Sequence, residues 1–252
     1  MQMNGDGEPP AERDLDPVWW LGVPVAVAAL RFLVPLLGRE AWQTLAASER
    51  TGWIENGTVA LLVVAVVYGV RVLVRRRELP GVIVLLVAAL VVGSFFFAGE
   101  ESSWGQWWFR FKTPKALEDM NEQGEFGFHN ITGMRFWLNA TPRRLLMLAT
   151  LAGGIVLPLA ALPWRRRLLA RRGWLYWLVP TWRIVPAAVA TAGSGLPHRL
   201  LAWAGVTIGA CEYLSMATRE SSQECRELGF AMVILVYLVS MHARLGPRRK
   251  GA

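Results

Sequence analysis

The chain has 252 residues, 54% of them hydrophobic and only 18% charged, below the roughly one quarter charged that a soluble domain carries. The balance of 27 basic against 19 acidic residues, +8, would suit nucleic acid in a soluble protein. Here the arginines edge apolar runs, as at Arg75-Arg76-Arg77 and Arg165-Arg166-Arg167, and no basic-aromatic recognition module accompanies them, so nucleic acid is excluded and membrane lipid is the expected partner. Cys211 and Cys225 stand fourteen residues apart, about 20 Å at helical rise, too far for a disulfide.

Residues 1–17 are polar and slightly acidic, without the positive start of a secretory leader; a disordered tail and an uncleaved first helix are expected. Apolar runs of about 20 residues read as membrane-spanning helices. They fall at Trp19 to Leu37, Thr58 to Val74, Pro80 to Ala98, Leu145 to Leu162, Leu200 to Ala217 and Leu228 to His242. The predicted class is therefore all-α, a polytopic transmembrane bundle over residues 18–244 with an outer loop at 100–144 and a basic cytoplasmic tail at 245–252. Trp174 to Pro197 is apolar but broken by Pro180, Pro186 and Gly193-Ser194-Gly195. Placing every arginine cluster in the cytoplasm requires that this stretch lie at the inner interface or re-enter, anchored by Trp174, Trp177 and Trp182. Six spans with both termini cytoplasmic result, or seven if the stretch crosses.

In the six-span arrangement Glu55, Glu100, Glu101, Glu125, His129, Glu220 and Glu224 all reach the outer side. Carboxylates at a membrane boundary lose hydration and need partners, which makes them site candidates. Glu100 and Glu101 end the third span, followed at once by Ser103, Trp104 and Gln106. Asn121, Glu125 and His129 are spaced to share one helical face, although Gly124 and Gly127 equally suit a folded loop. Glu-x-x-x-His presents two ligands to one metal. Glu220, Glu224 and Glu227 form an acidic stripe before the last span; Glu227, flanked by Arg226, reads best as part of a solvated, salt-bridged turn. For Glu55 a favourable place at a helix N-terminus is a sufficient explanation, and His198 and His242 read as ordinary inner-side residues.

The segment Glu100 to Gln106, with Thr113-Pro114, Asn121 to Glu125 and His129-Asn130, resembles an uncharacterised family of bacterial polytopic membrane proteins. That family carries Glu-Glu-x-Ser-Trp-Gly-Gln, Thr-Pro, Asn-x-Gln-Gly-Glu and His-Asn in this order. The resemblance covers mainly residues 99–130 and implies a bacterial inner-membrane location and a shared site there, but names no reaction.

The leading functional expectation is a metal-dependent enzyme acting on a lipid or lipid-linked substrate at the outer interface. Glu101, Glu125, His129, Glu220 and Glu224 are the candidate ligands to a divalent metal, and Glu100 or Glu101 the general base. Gln106, Asn121 and Asn130 would orient ligands or substrate. Two further expectations stand beside it: a cation- or proton-coupled transporter, for which Arg31, Arg183 and Glu212 are the midplane charges, and a non-catalytic assembly protein docking through the outer loop.

Overall fold

The computed structural model describes residues 15–45, 52–122, 124–128, 131–134, 136–165, 167, 173–195 and 224–246. The described residues are almost entirely helical. After a widened turn at Val18–Gly22 come α1 (Val23–Leu36), α2 (Arg39–Leu45), α3 (Trp53–Val74) and α4 (Gly81–Glu101). The bundle continues through α5 (Phe136–Ala160), the short α6 (Trp174–Leu178) and α7 (Val185–Ala192), and α8 (Glu224–Leu245). Four of these, α3, α4, α5 and α8, are long and apolar enough to cross a membrane. At 1.5 Å per residue the 22 residues of α3 and the 21 of α4 reach about 32 Å, close to the hydrocarbon thickness.

Three π-type turns have a common local cause. Val18–Gly22 ends two residues before Pro24, Phe136–Ala140 two before Pro142, and Ala152–Val156 two before Pro158. A proline ring collides with the carbonyl four residues back and donates no N–H, and widening the preceding turn relieves both problems. The Ala152–Val156 turn also carries Gly154, where a Cβ would lie 2.6 Å from that of Ala188. That glycine lets α5 pack directly against α7.

α8 forms the centre, with Phe230, Met232, Leu235, Leu238 and Met241 all buried, and packs along α3 and α7. One end of the bundle is rich in arginine. Arg75 bonds Glu78 (2.7 Å), the Leu245 carbonyl (3.0 Å) and the Gly246 carbonyl. It thereby satisfies acceptors that the end of α8 leaves without intrahelical partners. Leu15, only 2% exposed, lies at this end too, where its carbonyl accepts from Arg183. Leu15 is thus packed against the bundle, while Asp16 and Pro17 are exposed. Arg183 is fixed at the arginine-rich end rather than at midplane; the side chain of Arg31 and all of Glu212 lie outside the described residues. At the other end Trp42 of α2 packs with Ile54, Cys225 and Leu228.

The stretch from Trp174 differs from expectation. At the arginine-rich end the carbonyls of Tyr176 and Trp177 accept from Arg244 (2.7 Å) and Tyr237 (3.1 Å) of α8. At the opposite end Thr191 packs on Gly229, and Arg226 reaches the Ser194 hydroxyl at 3.5 Å. From Arg244 back to Arg226 is about 27 Å along α8, so residues 174–195 run nearly the whole length of the bundle instead of staying at one interface. The break around Pro180 is tolerated because it lies inside the protein: the Val179 carbonyl accepts from Arg165 at 3.2 Å, and side chains of α8 take the neighbouring carbonyls. Trp177 is buried, whereas Trp174 and Trp182 stay half-exposed. The predicted span Leu200 to Ala217 lies outside the described residues; Ser194 and Arg226, which flank it, sit at the same end.

Candidate carboxylate site at the end of α4

Adjacent residues Glu100 and Glu101 do different work. α4 stops in three consecutive left-handed residues, Ser103 (φ 46°), Trp104 (φ 53°) and Gly105 (φ 81°). The first two pay a steric cost there that glycine avoids. Side-chain bonds hold the turn. Trp104 Nε1 donates to Glu100 Oε1 at 2.6 Å, and the indole lies so close over Gly99 that a Cβ there would meet it at 2.9 Å. Glu100 Oε2 accepts from the Phe128 N–H at 2.7 Å, pinning the far side of the loop.

The loop is clasped at further points. Ser103 donates to Glu125 (2.8 Å), and Gln106 accepts from the Phe126 N–H (2.8 Å) while donating to Thr113 (2.8 Å). Thr113 in turn donates to the Gly124 carbonyl (3.0 Å), and Asn121 to that of Gly127 (2.8 Å). Asn121 and Ile131 form an isolated bridge. Residues 121–122 and 124–128 therefore belong to a folded loop, with Gly124 at φ 67°, and Asn121 and Glu125 do not share a helical face. Glu100, Gln106, Asn121 and Glu125 are brought together, with their polar atoms spent on the loop. Asn130, His129 and Glu220 lie outside the described residues.

Both glutamates also border a cavity. Between α4 and α5 lies a cavity of about 510 Å³, walled by Leu86, Leu90 and Phe97 of α4, Leu145 and Ala149 of α5, and Ile234 of α8. Its polar end is formed by Glu100, Glu101, Asn139, Arg143 and Glu227. Arg143 and Glu227 form an ion pair. Glu227, Glu55, Arg143 and Glu224 all act electrostatically on Glu101. Glu101 is thus within electrostatic reach of carboxylates from α3 and α8 and of the Arg143 guanidinium of α5, which pairs with Glu227. Glu227 is salt-bridged as expected, but at 5% exposure it is buried rather than solvated.

Arg143 and Ser94 are cavity residues that the sequence pattern does not single out. The signal for Arg143 was a basic pair, Arg143-Arg144, opening a span on the side otherwise marked by carboxylates. Ser94 lines the cavity two turns before Glu101; it is 1% exposed and its hydroxyl has no hydrogen-bond partner among the described residues. Among the described residues no group of three or more His, Cys, Asp or Glu side chains is arranged to hold a metal ion. Glu125 is engaged with Ser103 in the loop, and Glu101 and Glu224 do not complete a ligand set.

No protein-family model, curated protein or solved structure matches the chain.

Proposed function

We propose that this is a bacterial inner-membrane protein that takes an amphipathic lipid or lipid-linked substrate into the α4–α5 cavity and acts on its polar head with the carboxylates at the cavity's end. The observation that carries this reading is the continuity of an apolar space with a charged end, Glu101 and the Arg143–Glu227 pair, at one extremity of the bundle. Its volume, about 510 Å³, falls in the range of small-molecule sites. Leu85, Val92 and Leu148 are exposed on α4 and α5, which suits direct entry from lipid.

Among the described residues six crossings follow on this reading: α1 with its preceding turn, α3, α4, α5, the broken α6–α7 segment, and α8. The arginine-rich end is then cytoplasmic by the positive-inside rule, with both termini there, and the carboxylate end is extracytoplasmic.

Glu101 is the candidate general base, because it lines the cavity beside the Arg143–Glu227 pair. Both oxygens of Glu100 already accept hydrogen bonds. A divalent metal has no supporting ligand set among the described residues.

The test compares wild type with Glu101→Gln and Gly93→Phe in a bacterial lipid extract, following lipid composition and protein-bound lipid by mass spectrometry. Gly93 lines the cavity and has open space where a Cβ would stand, so the phenyl ring should occupy the substrate's place. Bound lipid lost in Gly93→Phe and turnover lost in Glu101→Gln are expected. Equal lipid content and unchanged turnover in all three proteins would refute the proposal.

A further inference from the structure

Past the end of α4 the chain leaves large aromatic side chains uncovered. The single helical turn Gln106–Phe109 is followed by Arg110 and Phe111, and Trp108, Phe109 (78%) and Phe111 are exposed. Trp104, just before that turn, packs edge-on against Phe95 and Phe96 with ring centroids 6.1 and 5.6 Å apart, and Phe128 stacks on Phe96 at 6.5 Å. Phe95 and Phe96 are themselves exposed on α4. They stand about 8 Å back along the helix from its last residue, Glu101. The loop therefore folds back beside the apolar flank of α4. Phe109 and Trp108 follow around Gly105, where a Cβ would meet the Phe109 ring at 2.9 Å and Trp108 at 3.8 Å. The uncovered rings thus continue the exposed apolar face of a membrane-spanning helix, at its end, where aromatic side chains collect at the membrane interface.

Charge decides which surface covers them. Arg110, Lys112 and Lys115 interleave with or follow these rings, and no acidic residue falls between Glu101 and Glu118. All three cations are exposed, and none is in an ion pair among the described residues. The acidic residues of the loop, Glu118, Asp119 and Glu122, come after them. A second copy meeting this face about a twofold axis would set the three cations against their own counterparts, which is unfavourable. A bilayer surface carrying anionic phospholipid answers both features. The rings settle among head groups and upper acyl chains, and the long cationic side chains reach the phosphates. We propose that the stretch from Trp104 to Lys115 is an interfacial foot docked on anionic phospholipid in the leaflet around the carboxylate end of the bundle. Each basic side chain near such a surface favours the contact about fivefold. The foot is independent of what occupies the α4–α5 cavity.

Nitroxide labels at Phe109→Cys and Asp119→Cys, in a background lacking Cys211 and Cys225, test the foot. The full-length protein is reconstituted in vesicles of phosphatidylcholine alone, or of phosphatidylcholine and phosphatidylglycerol in equal parts. Accessibility of each label is read with oxygen, which concentrates in lipid, and with a water-soluble nickel chelate. In the mixed vesicles the oxygen-to-nickel ratio should be at least fivefold higher at the Phe109 site than at the Asp119 site. Replacing Arg110, Lys112 and Lys115 together by glutamine should cut the Phe109-site ratio at least threefold in the mixed vesicles. In phosphatidylcholine alone the same replacement should leave it within twofold. Equal ratios at the two sites overturn the proposal, because the rings then stand in water. Exclusion of both oxygen and nickel from the Phe109 site also overturns it, because a protein surface then covers the rings. A high ratio that neither phosphatidylglycerol nor the triple replacement changes refutes recognition of anionic lipid. Trp108→Cys is a second reporter with the same expectations where Phe109→Cys fails to reconstitute.

Discussion

Arg143 brings a positive charge into the carboxylate cluster, and its replacement by methionine tests how much of the structure depends on that charge. Its partner Glu227 has a side chain only 6% exposed, while the Arg143 side chain keeps 24% of its surface. Removing one member of a buried pair costs roughly 3–5 kcal/mol, because the remaining charge is left uncompensated. Partial access of water to the Arg143 site places the expected loss at the lower end, about 3 kcal/mol, or roughly two decades in the folded-to-unfolded ratio. Glu55, Glu101 and Glu224 act in the same neighbourhood and would lose the same compensating charge. The double variant Arg143→Met/Glu227→Met should recover more than half of the loss, since an apolar pair of similar volume replaces a buried ion pair at little cost. Reversible unfolding in mixed micelles, run on wild type, both single variants and the double variant, measures the coupling directly. Stability of Arg143→Met within about 0.5 kcal/mol of wild type, the range of an ordinary surface substitution, would refute the reasoning, as would a double variant no better than the worse single one.

Glu100→Gln keeps the size of the side chain but leaves one of its two acceptor positions as an amide N–H₂. Either Trp104 Nε1 or the Phe128 N–H then faces a donor, a loss of about 1–3 kcal/mol, and trypsin should cut faster at Lys112 and Lys115; an unchanged cleavage rate would contradict the clasp. Gly99→Ala should displace the Trp104 ring that its Cβ would meet at 2.9 Å, lowering stability by about 1–3 kcal/mol and shifting tryptophan emission; a variant as stable as wild type with the same spectrum would show that the ring is not held there. Gly173→Cys and Gly193→Cys, where a Cβ meets nothing within 4 Å, should label from opposite faces of the membrane in a background lacking Cys211 and Cys225. Labelling from the same face would refute the crossing of residues 174–195.

Sequence alone determined the material of this protein and several of its helices. Hydropathy marked the runs from Thr58 to Val74, Pro80 to Ala98, Leu145 to Leu162 and Leu228 to His242, which fall within or closely along α3, α4, α5 and α8. A helix that must satisfy its own backbone in lipid is specified by its own residues. The polar segment from Glu100 to Glu125 was equally visible, because charged and amide side chains beside such a run have few ordinary uses there. Tertiary structure decided what those side chains do. Glu100 and Glu101 are neighbours with the same chemistry and both border the cavity, yet one is spent on Trp104 and Phe128 and the other stands within electrostatic reach of Glu227 and Arg143, a difference set by the left-handed turn that folds the loop back. Pro180 and the Gly193 break argued locally against a traverse from Trp174 onward, but Arg244 and Tyr237 of α8, some 60 residues away in sequence, satisfy the interrupted backbone. Glu227 reads as a solvated residue until Arg143, 84 positions earlier, is brought against it. Local sequence specifies what each helix buries from water, whereas the pairing of one buried polar group with another depends on which faces the assembled bundle turns together.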